Sequence, residues 1–107
     1  MNKETAISQS LSNIDSDFIK ALAEPARLEI LKLLILHGAS DVQTLAEKMP
    51  QDRSVISRHL AQMESAGLLS FHKEGRHKIY CVDGQTALRK AELLVESIRQ
   101  CYGVGCC

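Results

Sequence analysis

The chain has 107 residues, room for one domain spanning 1–107 and too few for two. Hydrophobic residues make up 45%, charged residues 24%, and 13 Lys+Arg balance 13 Asp+Glu. That is the balance of a soluble globular protein, and it excludes a polybasic tail or a purely electrostatic coat for nucleic acid. No apolar run approaches the roughly 20 residues of a membrane span. Residues 1–12 hold no secretory apolar core, so the expected compartment is the cytoplasm, with no membrane partner. With no Trp, two Phe and two Tyr, the core must be mostly Leu, Ile, Val and Ala. A dimer interface would add the burial that a small domain lacks.

Residues 1–14 read as an N-terminal arm, a frayed polar tail leading into a short helix, with apolar residues at Ala6, Ile7 and Leu11. Asp15 or Ser16 can cap the next helix, whose inner side is Phe18, Ile19 and Leu22. Glu24-Pro25 starts a fresh helix. Its run of Leu28, Ile30, Leu31, Leu33, Leu34 and Ile35 is apolar on more than one face, which predicts a central buried helix, and Gly38 ends it. Ser40 or Asp41 caps a short helix with Val42, Leu45, Ala46 and Met49 inward, broken at Pro50. Asp52 opens a helix through Ser65, with Val55, Ile56, Leu60 and Met63 in one buried stripe, closed by Ala66-Gly67. Leu68–Lys73 and His77–Val82 read as strands around a Glu74-Gly75-Arg76 turn, with Leu69, Phe71, Ile79 and Cys81 as the alternating apolar positions. Asp83-Gly84 ends this hairpin. A last helix over 85–102 places Leu88, Ala91, Leu94, Val95, Ile98 and Tyr102 on a seven-residue seam, the pattern of a helix that packs on a partner helix. Gly103 is a plausible residue for its C-terminal cap.

The fold class is therefore mainly α with a β-hairpin wing, a winged helix-turn-helix. The second helix of such a unit lies in the major groove, buried on one side and polar on the other. Here the outward residues are Arg53, Ser54, Ser57, Arg58, His59 and Gln62, all able to donate hydrogen bonds to base edges or phosphates. The hairpin tip adds Lys73, Arg76, His77 and Lys78. From Arg53 to Lys78 five Lys/Arg face two acidic residues, so the neutral total hides a basic segment. His59 has an equal claim to a capping or packing role. An enzyme is not expected, for there is no Cys-x-x-Cys near a βαβ unit, no His-Glu-x-x-His and no glycine-rich phosphate loop. The other non-enzyme reading is a winged helix used only for protein contacts.

These residues resemble the ArsR/SmtB repressors, bacterial metal- and metalloid-sensing transcription factors. The resemblance runs through Phe18-Ile19-Lys20-Ala21-Leu22-Ala23-Glu24-Pro25-Ala26-Arg27-Leu28-Glu29-Ile30-Leu31, Leu45-Ala46-Glu47, Val55-Ile56-Ser57-Arg58-His59-Leu60, Gly67-Leu68-Leu69 and Glu74-Gly75-Arg76 with Tyr80 after them, and so spans roughly residues 15–83. It implies a homodimer that binds double-stranded palindromic operator DNA, represses, and releases the DNA when an inducer binds. The family's arsenic-type Cys-x-Cys positions are Asp41 and Gln43 here, so that site is absent. Its zinc-type positions are Asp83, Gln85, Glu96 and Arg99, of which Asp83 alone fits a ligand role.

Three of the four cysteines, Cys101, Cys106 and Cys107, crowd into the last seven residues. Thiols stay reduced in a cytosol, and Gly103 and Gly105 let the tail 103–107 fold back on itself. Three thiolates make a soft site. Some family members carry As(III) sites of three cysteines near the C-terminus, and the resemblance thus implies As(III) as inducer, with Sb(III) or methylarsenite accepted by the same thiolates and no organic cofactor. Two alternatives stand beside it. One is a thiol redox switch, for peroxide or persulfide, pairing Cys101 with Cys106 or Cys107. The other is a Zn/Cd-responsive site, which would want a fourth ligand. Cys81 reads as a small packing residue.

Overall fold

The computed structural model describes residues 3–105. Six helices and one hairpin follow in the order α1 (Lys3–Ser12), α2 (Ser16–Ala23), α3 (Pro25–His37), α4 (Val42–Ala46), α5 (Arg53–Ser65), β1 (Leu69–Glu74), β2 (His77–Val82) and α6 (Gly84–Gly103). Short polar side chains set the helix starts. Asp15 accepts from the N–H groups of Asp17 and Phe18, Asp41 from that of Thr44, and Asp83 from that of Thr86. Each satisfies donors that a helix leaves unpaired in its first turn. Asp52 stands at the start of α5 without such a side-chain bond. Pro25 occupies the first turn of α3, where its missing N–H costs nothing.

The core joins Phe18 and Ala21 of α2, Ile30 and Leu34 of α3, Leu45 of α4, Ile56, Leu60 and Met63 of α5, and Leu68, Leu69 and Tyr80. The stripe expected on α5 is present, with Val55 half-buried at its edge. Three expectations change. First, α3 is buried along one face only, at Ala26, Ile30 and Leu34, while Leu28, Ile35 and Leu36 are exposed. A run apolar on every side carries no information about which side the chain itself covers. Second, Glu74 belongs to β1 and pairs with His77, so the turn is the two residues Gly75-Arg76. Gly75 takes a left-handed φ of 62°, as a two-residue hairpin turn requires. That register pairs Leu69 with Val82 and Phe71 with Tyr80. Ile79 and Cys81 therefore lie on the opposite face, with His72 and Ser70. Third, α4 ends at Ala46, well before Pro50, and Met49 is buried from the following turn.

The arm 3–12 is helical and packs along α6. The α6 seam divides. Ala91 and Leu94 are half-buried by the chain itself, whereas Leu88, Val95, Ile98 and Tyr102 stand exposed. No helix among the described residues is long and apolar enough to cross a membrane.

Lys90 ties α6 to the rest. Its ammonium donates to Asp15 Oδ2 at 2.7 Å and to the Ala66 carbonyl at 2.9 Å. The Lys90 bond, then the Phe18 N–H, hold the Asp15 carboxyl below the usual carboxylate range against partial burial. A carboxylate with a lowered folded pKa adds stability above its unfolded value of 3.8, and loses it as pH falls through the folded value. Asp15→Asn keeps a capping acceptor but removes the charge. Its urea midpoint is expected to lie below that of the parent at pH 7, with the gap closing below pH 3.8. A gap that persists unchanged into acid would mean that the charge is not what Lys90 needs.

Candidate nucleic-acid interface

Residues from α4, α5 and β2 meet around one open groove, lined by Gln43, Arg53, Ser57, Arg76, His77 and Lys78. The α5 residues reach it because the buried stripe Ile56, Leu60 and Met63 turns the Arg53/Ser57 side of the helix outward. The wing residues reach it because the two-residue turn carries Arg76 directly into β2. Arg53, Ser54, Ser57, Arg58, Gln62, Lys73, Arg76, His77 and Lys78 are exposed, and His59 is half-buried.

The wing is braced by its aromatics. Phe71 and Tyr80 have ring centroids 5.5 Å apart, and Lys78 Nζ lies 4.6 Å from the Phe71 centroid, a cation–π contact that aims the ammonium along the strand. Lys73 stands opposite Lys78 in the register, so like charges face one another at the tip. Neighbouring cations suit a surface that meets an anion. The backbone of Tyr80 also exchanges hydrogen bonds with Ser40, N–H to O at 2.9 Å in both directions, pinning the wing to the start of α4.

Asp41 bridges these parts. One carboxyl oxygen caps α4 through the Thr44 N–H at 2.8 Å, and the other lies 3.7 Å from His77 Nδ1. The Thr44 N–H and hydroxyl, with smaller contributions from His77 and Arg53, hold the Asp41 carboxyl below the usual range. Asp41 is thus an anionic structural joint between helix-turn-helix and wing.

Two predicted residues lie outside this groove, on the side of α5 next to α3. His59 and Gln62 both bond Arg27 of α3, beside a second cleft that includes Lys20, Glu24 and Ser65. Sequence reasoning gave Arg27 no role, although it stands in the Glu24-Pro25-Ala26-Arg27 segment. Its partners lie 32 and 35 residues away, beyond any local spacing rule.

Of the zinc-type positions, Asp83 is engaged as the cap of α6, and Glu96 pairs with Arg99 at 3.3 Å. Among the described residues no three His, Cys, Asp or Glu side chains gather as a metal site. Cys101 lies half-buried in the last turn of α6 and is disulfide-bonded, while Cys81 is a free thiol 3.3 Å from Ser70 Oγ. Cys106 and Cys107 lie outside the described residues. The donor set itself, three sulfurs in seven residues, suits a soft thiophilic ion.

The HVO_A0114 family matches residues 21–85. An uncharacterised HTH-type transcriptional regulator of Methanocaldococcus jannaschii is 33% identical over 67 residues, 63% of this chain and 75% of that protein. The crystal structure of a possible transcriptional regulator for arsenical resistance superposes with a TM-score of 0.68 at 36% identity, covering 77% of this chain and 83% of the other. The chain belongs to the HVO_A0114 family, and its structural neighbours are winged helix-turn-helix regulators of ArsR type. A second structure, the homodimeric winged helix-turn-helix DNA-binding domain of a possible ArsR-family regulator from Mycobacterium bovis, covers 94% of this chain and 88% of its own, with a TM-score of 0.61 and 26% identity. The match to an HTH-type regulator of Mycobacterium tuberculosis, 31% identical over 75 residues, covers 70% of this chain and spans 66% of that protein's length. These relatives are transcriptional regulators, not enzymes.

Proposed function

We propose that this chain is a homodimeric repressor that releases its operator when trivalent arsenic binds Cys101, Cys106 and Cys107. In this reading α5 enters the major groove, with Arg53, Ser54, Ser57 and Arg58 foremost. Arg76, His77, Lys78 and Lys73 meet the adjoining phosphates. The exposed stripe Leu88, Val95, Ile98 and Tyr102 of α6 forms the dimer seam with Ala91 and Leu94.

One observation carries the sensing part. Cys101 sits in the last turn of the same helix that bears the exposed stripe, and two further cysteines follow within six residues. The likeness to a possible regulator for arsenical resistance supports the same choice. Each thiol would condense with one hydroxyl of arsenous acid and release one water, leaving arsenic on three sulfurs with no change of oxidation state. Sb(III) and methylarsenite would use the same thiolates. Fixing the end of α6 shifts the spacing of the two α5 helices, and the coupling required is about 1–3 kcal/mol.

The disulfide at Cys101 favours a second reading, a repressor switched by thiol oxidation. Arsenic ligation needs that disulfide reduced, so the two readings separate cleanly. Fluorescence anisotropy of the reduced chain on DNA from upstream of its own gene is expected to show release by low-micromolar arsenite, lost in Cys106→Ser. Binding that ignores arsenite but falls with peroxide would replace the metalloid reading with the redox one. Steep loss of binding with salt would separate operator binding from a protein-contact role.

A further inference from the structure

The side of α5 turned toward α2 and α3 holds a hydrogen-bond arrangement of fixed polarity. Arg27 Nε donates to His59 Nδ1 at 3.1 Å, and a terminal nitrogen of the same guanidinium donates to Gln62 Oε1. A guanidinium has donors only and stays protonated. His59 must therefore accept at Nδ1, which makes the imidazole neutral with its hydrogen on Nε2. Gln62 must present its carbonyl oxygen to Arg27, which leaves both amide hydrogens for another partner. Histidine and glutamine can ordinarily offer either a donor or an acceptor. Here one arginine removes that choice from both. The two residues are three apart on α5 and so stand on one side of it. Gln62 is exposed and lines, with Arg27, a cleft open to solvent, and His59 is half-buried next to them.

We propose that Arg27 is a positioning residue that fixes His59 and Gln62 as a donor-only pair, so that this stretch of α5 accepts only acceptor groups of DNA. Those groups are phosphate oxygens or the N7/O6 edge of guanine, which accept at both atoms. The inference rests on the reading of α5 as the DNA-facing helix and adds to it a residue, on another helix, that sets what part of α5 can read. The electrostatics agree with the geometry. Burial, then the positive charges of Arg27 and Arg58, hold His59 below its usual pKa of 6.5, with Glu24 pulling the other way. Lys20 and Asp17 of α2 line the same cleft, one of each sign. The imidazole is therefore neutral at pH 7, as its bond from Arg27 demands.

The first test needs no DNA. Long-range 1H–15N NMR of the imidazoles in the unaltered full chain at pH 7 is expected to show His59 with the hydrogen on Nε2 and Nδ1 as an acceptor. In Arg27→Met the tautomers are expected to mix and the His59 pKa to rise. A hydrogen on Nδ1, an imidazolium, or an unchanged tautomer in Arg27→Met would overturn the proposal. The second test is anisotropy on a duplex from upstream of the chain's own gene. Arg27→Met is expected to bind about tenfold more weakly. If the pair meets guanine, 7-deazaguanine in the half-sites weakens the parent and not the variant. If it meets phosphate, the salt slope falls by about one in the variant instead. The expected tautomer with unaltered binding in Arg27→Met overturns the DNA half of the proposal and leaves α5 as the reading helix. Absence of binding by the parent to any upstream duplex overturns that underlying reading as well, while the NMR result still decides the role of Arg27.

Discussion

Ile98→Glu is expected to leave the fold intact, to convert a dimer into a monomer, and to weaken operator binding at least about 100-fold. Ile98 is 61% exposed in the isolated chain, so its replacement disturbs little packing within the chain. Leu88, Val95 and Tyr102 lie along the same side of α6, at seven-, three- and four-residue steps with Ile98. In the proposed homodimer, these large exposed apolar side chains repeat at the spacing that packs on a second helix. In a two-fold interface each residue meets the partner's copy of the same patch. A glutamate there buries two like charges close together, which is costlier than the loss of two isoleucine contacts. The effect on DNA follows from valence. Two linked reading heads gain about 100- to 10,000-fold over one through effective concentration, and a monomer forfeits that gain with its α5 surface untouched. Sedimentation equilibrium with anisotropy on one duplex measures both parts. A variant that stays dimeric would move the seam off α6, and the exposed Leu28, Ile35 and Leu36 of α3 would be the next surface to test.

What could be read in advance divides along a physical line. Helix starts were legible because a cap is a local event. Asp15 and Asp41 each bond an N–H two or three residues on, and the short side chain that does this is visible in the sequence; Asp83 caps α6 in the same way, although it reads in the sequence as the end of the hairpin. The α5 stripe was legible because its period is clean. On α3 the apolar run has almost no period, and only the assembled chain decides that Ile30 and Leu34 are covered while Ile35 and Leu36 are not. The strand faces failed for a related reason. Phe71 and Ile79 both sit in alternating patterns, but a register shift of one residue exchanges the faces. The turn at Gly75-Arg76 settled that register, placing Tyr80 inward and Cys81 outward.

The candidate interface shows the same limit. Residue types and helix spacing pointed to Arg53, Ser57 and the wing cations, and these do share one groove. Arg27 with His59, and Lys90 with Asp15, join positions 32 and 75 residues apart. No periodicity encodes such contacts. They exist because α2 and α3 pack on α5 while α6 docks on the same core, and each bond lies at the edge of apolar packing.

Gly67→Ala is the stability counterpart, with an expected cost of about 2–4 kcal/mol from two separate sources. Gly67 sits at φ +88°, in the left-handed region where a Cβ alone costs about 1–2 kcal/mol. The added Cβ would also lie 2.9 Å from Lys90 Nζ and 3.0 Å from Thr86 Cγ2. The lysine end can swing aside, but only by leaving Asp15 and the Ala66 carbonyl, whose bonds join α6 to the start of α2 and the end of α5. Gly75 supplies the control. Its φ is +62°, and a Cβ there meets nothing within 4 Å, so Gly75→Ala bears the backbone cost alone. Urea unfolding of both variants should place Gly67→Ala below Gly75→Ala by the value of the Lys90 contacts. In a Lys90→Ala background the two should converge, because the group displaced by the new methyl is already gone. Equal costs in the parent background would mean that Lys90 steps aside without loss, and that α6 is held to α5 by the half-buried Ala87 and Ala91 packed against the core instead.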